Sequence, residues 1–153
     1  MDVNEFEQRR RAVGEGLAAR KLDALLLSFS PNLRYLSGFT GSNGALLVMP
    51  GKSILFTDPR YEIQAAQEST STVRISRGPL TDSVLAAIRR LGVRRIGYEP
   101  ARMTCETFEA LKGKLPMKAS LVPVRGWIEE MRMVKSPDEL TAVTGRSSPA
   151  VRS

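Results

Sequence analysis

Histidine is absent from this 153-residue chain, and cysteine occurs once, as Cys105. The first absence excludes histidine-bound zinc, Ser-His-Asp triads and Cys-His pairs within one copy of the chain. The second excludes an internal disulfide and fits a reducing compartment. With no histidine to activate it, Cys105 reads as an incidental thiol rather than a nucleophile. Long apolar runs are missing too: Ala24 to Leu27 and Ala45 to Met49 fall far short of the roughly 20 residues that cross a bilayer. Met1-Asp2-Val3-Asn4-Glu5 is polar and acidic, with no apolar run behind it, unlike a secretory leader. Together these features predict a cytoplasmic protein with no membrane partner.

Positive charge is plentiful, with 23 Lys and Arg against 16 Asp and Glu and a formal net charge of +7. Such a balance invites a nucleic-acid reading, because Lys and Arg gain affinity by neutralising phosphates. The distribution argues against it. Arg9-Arg10-Arg11, Arg89-Arg90 and Arg94-Arg95 are small groups separated by acidic residues, with no aromatic-rich stripe or zinc-finger spacing beside them. Apolar residues make up 42% of the chain, enough for one core and one ordinary domain.

Hydrophobic spacing predicts a helix over residues 3 to 21 on Phe6, Val13 and Leu17, weakened by Gly14 and Gly16. The run Ala24 to Leu27 has the length of a strand buried on both faces, and so reads as central in a sheet. Ser30-Pro31-Asn32 reads as a turn, with one short helical turn over Leu33 to Leu36. Two strands, Ala45 to Met49 and Ser53 to Thr57, flank Pro50-Gly51-Lys52, a connection too short for a parallel crossover, which predicts an antiparallel hairpin. Asp58 and Pro59 predict a helix over 59 to 68, capped by Asp58. Further strands are expected at 73 to 76, 95 to 98 and 120 to 124. Helices are expected at 81 to 91, closed by Gly92, at 104 to 115 and at 127 to 134. About six strands and five helices result, an α/β fold with a mixed sheet flanked by helices.

The segment Asn32 to Tyr61 carries Tyr35-Leu36-Ser37-Gly38-Phe39 and Thr57-Asp58-Pro59-Arg60-Tyr61. It resembles the N-terminal domain of the creatinase/aminopeptidase P/prolidase superfamily. Gly41-Ser42-Asn43 and Gln64-Ala65 lean toward the Xaa-Pro aminopeptidase branch. Ser136, with Pro137 and Glu139 behind it, reads as a capping box and predicts a new helix, and Arg132 to Glu139 resembles the family's entry into its catalytic domain. The expected division is residues 1 to 134 as the N-terminal domain, and 135 to 153 as the start of a linker helix to a missing catalytic domain plus an atypical tail. The resemblance implies a parent enzyme that hydrolyses Xaa-Pro peptide bonds with a dinuclear metal, manganese, held in the C-terminal domain. It also implies a homo-oligomer and proline-containing peptides as substrates.

This chain alone is expected to be inactive. Its carboxylates are scattered, with no ligand-spaced cluster of the EF-hand type and no histidine to complete a metal site. The glycines of Gly38 to Gly44 lack the lysine and following helix of a phosphate-binding P-loop, and so read as a tight loop. By resemblance, that loop reaches a catalytic pocket, often of the neighbouring subunit, so the expected pocket-facing residues are Phe39, Thr40, Gly41, Ser42, Arg60 and Tyr61. Asp58 reads as a cap with Arg60 as its ion-pair partner, Asn32 as turn-forming, Tyr35 as core with a polar tip, and Trp127 as domain packing or an interdomain anchor. The resulting function is a non-catalytic N-terminal domain that gates substrate access and supports oligomerisation. Its rivals are a stand-alone binding module or pseudo-enzyme, and a basic nucleic-acid-binding domain.

Overall fold

The computed structural model describes residues 3–133; the capping box at Ser136 and the tail expected from residue 135 onward lie outside them. Six strands form one mixed sheet: β1 (Ala24–Leu27), β2 (Gly44–Met49), β3 (Lys52–Thr57), β4 (Thr72–Ile75), β5 (Arg95–Tyr98) and β6 (Ser120–Pro123). Their order is β4-β3-β2-β1-β5-β6. Only β2 runs against its neighbours; the pairs β3/β4, β1/β5 and β5/β6 are parallel. The predicted hairpin is present with Leu46 opposite Leu55, and Gly51 supplies the positive φ of 71° that its turn requires.

Helices cover both faces, which explains the unbroken apolar run of β1. Leu25 and Leu27 point into a core built with Val13 and Leu17 of α1 (Val3–Leu17), Leu33 and Leu36 of α2 (Ser30–Ser37), and Trp127 and Ile128 of α6 (Trp127–Met133). Ala24 and Leu26 point the other way, onto Val84, Leu85 and Ile88 of α4 (Leu80–Leu91) and Leu111 of α5 (Cys105–Lys114). Each fully buried leucine contributes about 1.5–3 kcal/mol. The remaining helix, α3 (Glu62–Glu68), follows a 3-10 turn at Pro59–Tyr61 that Asp58 caps as predicted, and its Ala65 joins the first core. Among the described residues, no helix is long and apolar enough to cross a membrane.

Two expectations need correction. The first helix ends at Leu17 and tightens into a 3-10 turn at Ala18–Arg20, closed by Lys21 in the left-handed conformation. Ser30-Pro31-Asn32 is not a turn but the start of α2, which raises the α-helix count among the described residues to six. Pro31 is tolerated because the first turn of a helix has no intrahelical partner for its N–H. Phe29 occupies the cap position without a side-chain bond, so no capping signature announces the helix.

Five strands point in one direction, and their carboxyl ends share one edge of the sheet. That edge also holds the start of α2, the loop from Gly38 into β2, and the Asp58 turn. In open α/β sheets this is where ligand-facing loops gather.

Candidate functional site

The loop between α2 and β2 is built around Phe39. Gly38 closes α2 at φ 82°, and the chain then folds over the Phe39 ring, which is 1% exposed. A Cβ at Gly41 would enter that ring, and one at Gly44 would come within 3.0 Å of it, so these two glycines let the loop wrap the aromatic closely. Tyr61 meets the Phe39 ring edge-on, with centroids 5.7 Å apart.

Polar bonds hold the loop from outside. The Thr40 N–H and hydroxyl both donate to the Glu68 carboxylate, at 2.8 Å to Oε1 and 2.8 Å to Oε2. Gln64, one helical turn earlier on α3, donates to the Thr40 hydroxyl at 2.8 Å. The Ser42 and Tyr61 hydroxyls share a bond of 2.6 Å, and the Asn43 amide donates to Asp58 at 2.7 Å. Arg60 lays its guanidinium against the same carboxylate, Nε to Oδ1 at 3.0 Å and Nη2 to Oδ2 at 2.8 Å.

The charges follow from these contacts. Arg60's fork, aided by Asn43, holds the Asp58 carboxyl well below the usual carboxylate range. Burial pushes Glu68 up, but the bonds from Thr40 and Gln64 outweigh it and leave the group below its ordinary value. Tyr61 is lowered by its bonds to Ser42.

Of the six residues expected to face a pocket, Thr40, Ser42 and Arg60 are exposed, Tyr61 is half-buried, and Phe39 and Gly41 lie beneath the surface. Phe39 to Ser42 are consecutive, and Tyr61 joins them through its bond to Ser42 and its ring contact with Phe39, whereas Arg60 pairs with Asp58 in the following turn. Phe39, Thr40 and Gly41 line a groove of about 780 Å³ with Phe6, Arg34 and Arg132. Ser42 and Asn43 line a separate cavity of about 530 Å³, whose walls include Leu80, Val84 and Arg102. The loop therefore stands as a wall between two cavities.

A second polar centre, at the same edge, was not foreseen. Asn32 is fully buried in the first turn of α2 rather than in a connecting turn. Its Nδ2 donates to Glu99 at 2.9 Å and to Glu129 at 3.0 Å, while its Oδ1 accepts from Arg132 at 2.9 Å. Arg102 lies 3.6 Å from Glu129 and stacks over the Phe29 ring at 3.8 Å. Tyr35 behaves as expected, a partly buried ring whose hydroxyl donates to the Met131 carbonyl at 3.1 Å. Trp127 is packed in the core, with Arg20 over its ring at 3.6 Å. The Glu68 and Gln64 braces were also missed. Their spacing of four on α3 placed them on one face, which was the available signal.

Among the described residues, no three His, Cys, Asp or Glu side chains converge to hold a metal. Glu99 and Glu129 form only a pair, tied through Asn32. A dinuclear centre needs more donors than that, so the residues present do not fit one.

Residues 9–134 match the family model of the Creatinase/Prolidase N-terminal domain. The chain is 32% identical over 120 residues to the uncharacterized peptidase YqhT of Bacillus subtilis, covering 78% of this chain and 34% of that protein. Among solved structures, the N-terminal domain of the cytoplasmic peptidase PepQ from Mycobacterium tuberculosis is 39% identical with a TM-score of 0.75, covering 82% of this chain and 98% of that one. The Xaa-Pro dipeptidase from Bacillus anthracis is 26% identical with a TM-score of 0.79, covering 92% of this chain and 38% of that one. The chain thus spans little more than a third of the curated relatives that it matches first.

Proposed function

This chain belongs to the creatinase/prolidase N-terminal domain family, and from that premise we propose that it is the non-catalytic module of an Xaa-Pro aminopeptidase- or dipeptidase-type metallopeptidase. Its task is to restrict access of proline-containing peptides to a catalytic C-terminal domain, which holds the metal, and to support a homo-oligomer. The observation that carries this reading is the loop from Gly38 to Gly44. It is fixed from beneath by Phe39 and from outside by Glu68, Tyr61 and Asp58, and it presents Thr40 and Ser42 at a rim between two cavities. A rim held this firmly can exclude by shape, because its conformation resists displacement by an incoming peptide.

Gating predicts selectivity by peptide length. With residues 9–134 placed in the matching position of the Bacillus anthracis Xaa-Pro dipeptidase, Ser42→Trp should change the ratio of kcat/KM for longer Xaa-Pro peptides over the dipeptide by about 10-fold or more, the scale of a steric change in a pocket. Ser42 suits the test because it is exposed and makes a single side-chain bond, to Tyr61. An unchanged ratio in a folded, active chimaera would remove the gating role.

A further inference from the structure

The Asn32 centre joins three elements: α2 through Asn32, the end of β5 through Glu99, and α6 through Glu129 and Arg132. Two carboxylates accept from one amide nitrogen at 2.9 and 3.0 Å, so those oxygens lie no more than about 6 Å apart, a range in which like charges oppose each other's ionisation. Glu99 is 6% exposed, and the one hydrogen-bonding partner of its carboxylate among the described residues is the Asn32 amide. Neither nearby cation bonds the Glu99 carboxylate directly: Arg132 bonds the Asn32 oxygen, and Arg102 pairs with Glu129.

From this geometry we infer that Glu99 and Glu129 form a proton-controlled latch, closed when Glu99 is protonated and loosened when both carboxylates are charged, which sets how firmly α6 is held against α2. Burial, with the charge of Glu129 adding to it, pushes Glu99 up to about 7, against a lowering pull from Asn32, Arg102 and Arg132. Glu129 stays low, because its bond from Asn32 and the two arginines outweigh its own burial.

The sign follows from linkage. A carboxyl raised in the folded state contributes stability that is complete below its unfolded value of 4.5 and is lost as pH rises through about 7. Because the chain has no histidine, no other side chain ordinarily titrates between pH 5 and 7.5. The lowered carboxylates Asp23, Asp58, Glu68 and Glu129 act only below that window. The latch also has a path to the loop, since α2 carries Asn32 and ends directly at Gly38.

The test uses the full chain, with carboxyl carbons followed by NMR and amide exchange in α6 followed from pH 5 to 7.5, corrected for the intrinsic pH dependence of exchange. Glu99 should titrate near 7, and the opening constant of α6 should rise by about 10-fold or more across its titration, because opening returns the raised carboxyl toward its ordinary value. Glu99→Gln should abolish that rise. Glu129→Gln, which keeps Glu99 titratable, should move the midpoint toward acid. Titration of Glu99 near 4.5, α6 protection that does not vary with pH, or a Glu129→Gln midpoint equal to that of the unaltered chain would each overturn the latch.

Discussion

Replacing Asn32 by Ala is expected to lower the stability of the domain by roughly 3 kcal/mol, the scale of removing a buried partner from charged groups. Asn32 is fully buried and serves two glutamates and an arginine through one amide. Without it, the Glu99 carboxylate has no donor left among the described residues, and Arg132 loses its Asn32 acceptor on α2. Glu99 can relieve part of the loss by taking up a proton, so the deficit should be larger at pH 8 than at pH 5. In a thermal melt this is a fall of about 10 °C for a domain of this size. A change within about 0.5 kcal/mol would show that the centre holds nothing together.

Gly38→Ala should be of similar severity, about 2–4 kcal/mol, for two separable reasons. The residue sits at φ 82°, and a Cβ there would lie 2.7 Å from the Glu68 carbonyl oxygen, a backbone atom that cannot swing aside. The loop would have to move away from α3, straining the bonds from Thr40 to Glu68. Gly51→Ala isolates the first reason, because Gly51 has φ 71° and open space around it; it should cost roughly 1 kcal/mol. Denaturant melts of the two variants check the difference. Equal effects would mean that the close approach to Glu68 does not constrain the loop.

The legibility of this fold varied with the range of the forces involved. The hairpin was readable because Pro50-Gly51 sits between two apolar runs, and the Asp58 cap because its bond partner is two residues away. The burial of β1 on both faces was readable from four consecutive apolar residues. α2 was not, because Pro31 at its start reads as a turn and Phe29 gives no cap signal. Asn32 looked turn-forming for the same local reason. Its actual partners, Glu99 and Glu129, lie 67 and 97 residues away, and only the assembled sheet edge brings them together.

The candidate loop shows the same division. The motif from Tyr35 to Tyr61 draws attention to the loop, in which Gly41, Gly44 and Tyr61 pack around Phe39. It could not show that Phe39 is the buried support of the loop, or that Glu68 and Gln64 brace it from α3. Those facts depend on where α3 packs, which spacing along the chain does not encode.

Under the function proposed above, this domain shapes access to proline-peptide hydrolysis while the reacting groups lie in the catalytic domain. The most direct test is to incubate the purified chain with manganese and an Xaa-Pro peptide and to follow product release. No release above the protein-free control is expected. Metal-dependent turnover that stays with the chain after contaminating peptidases have been removed would contradict it.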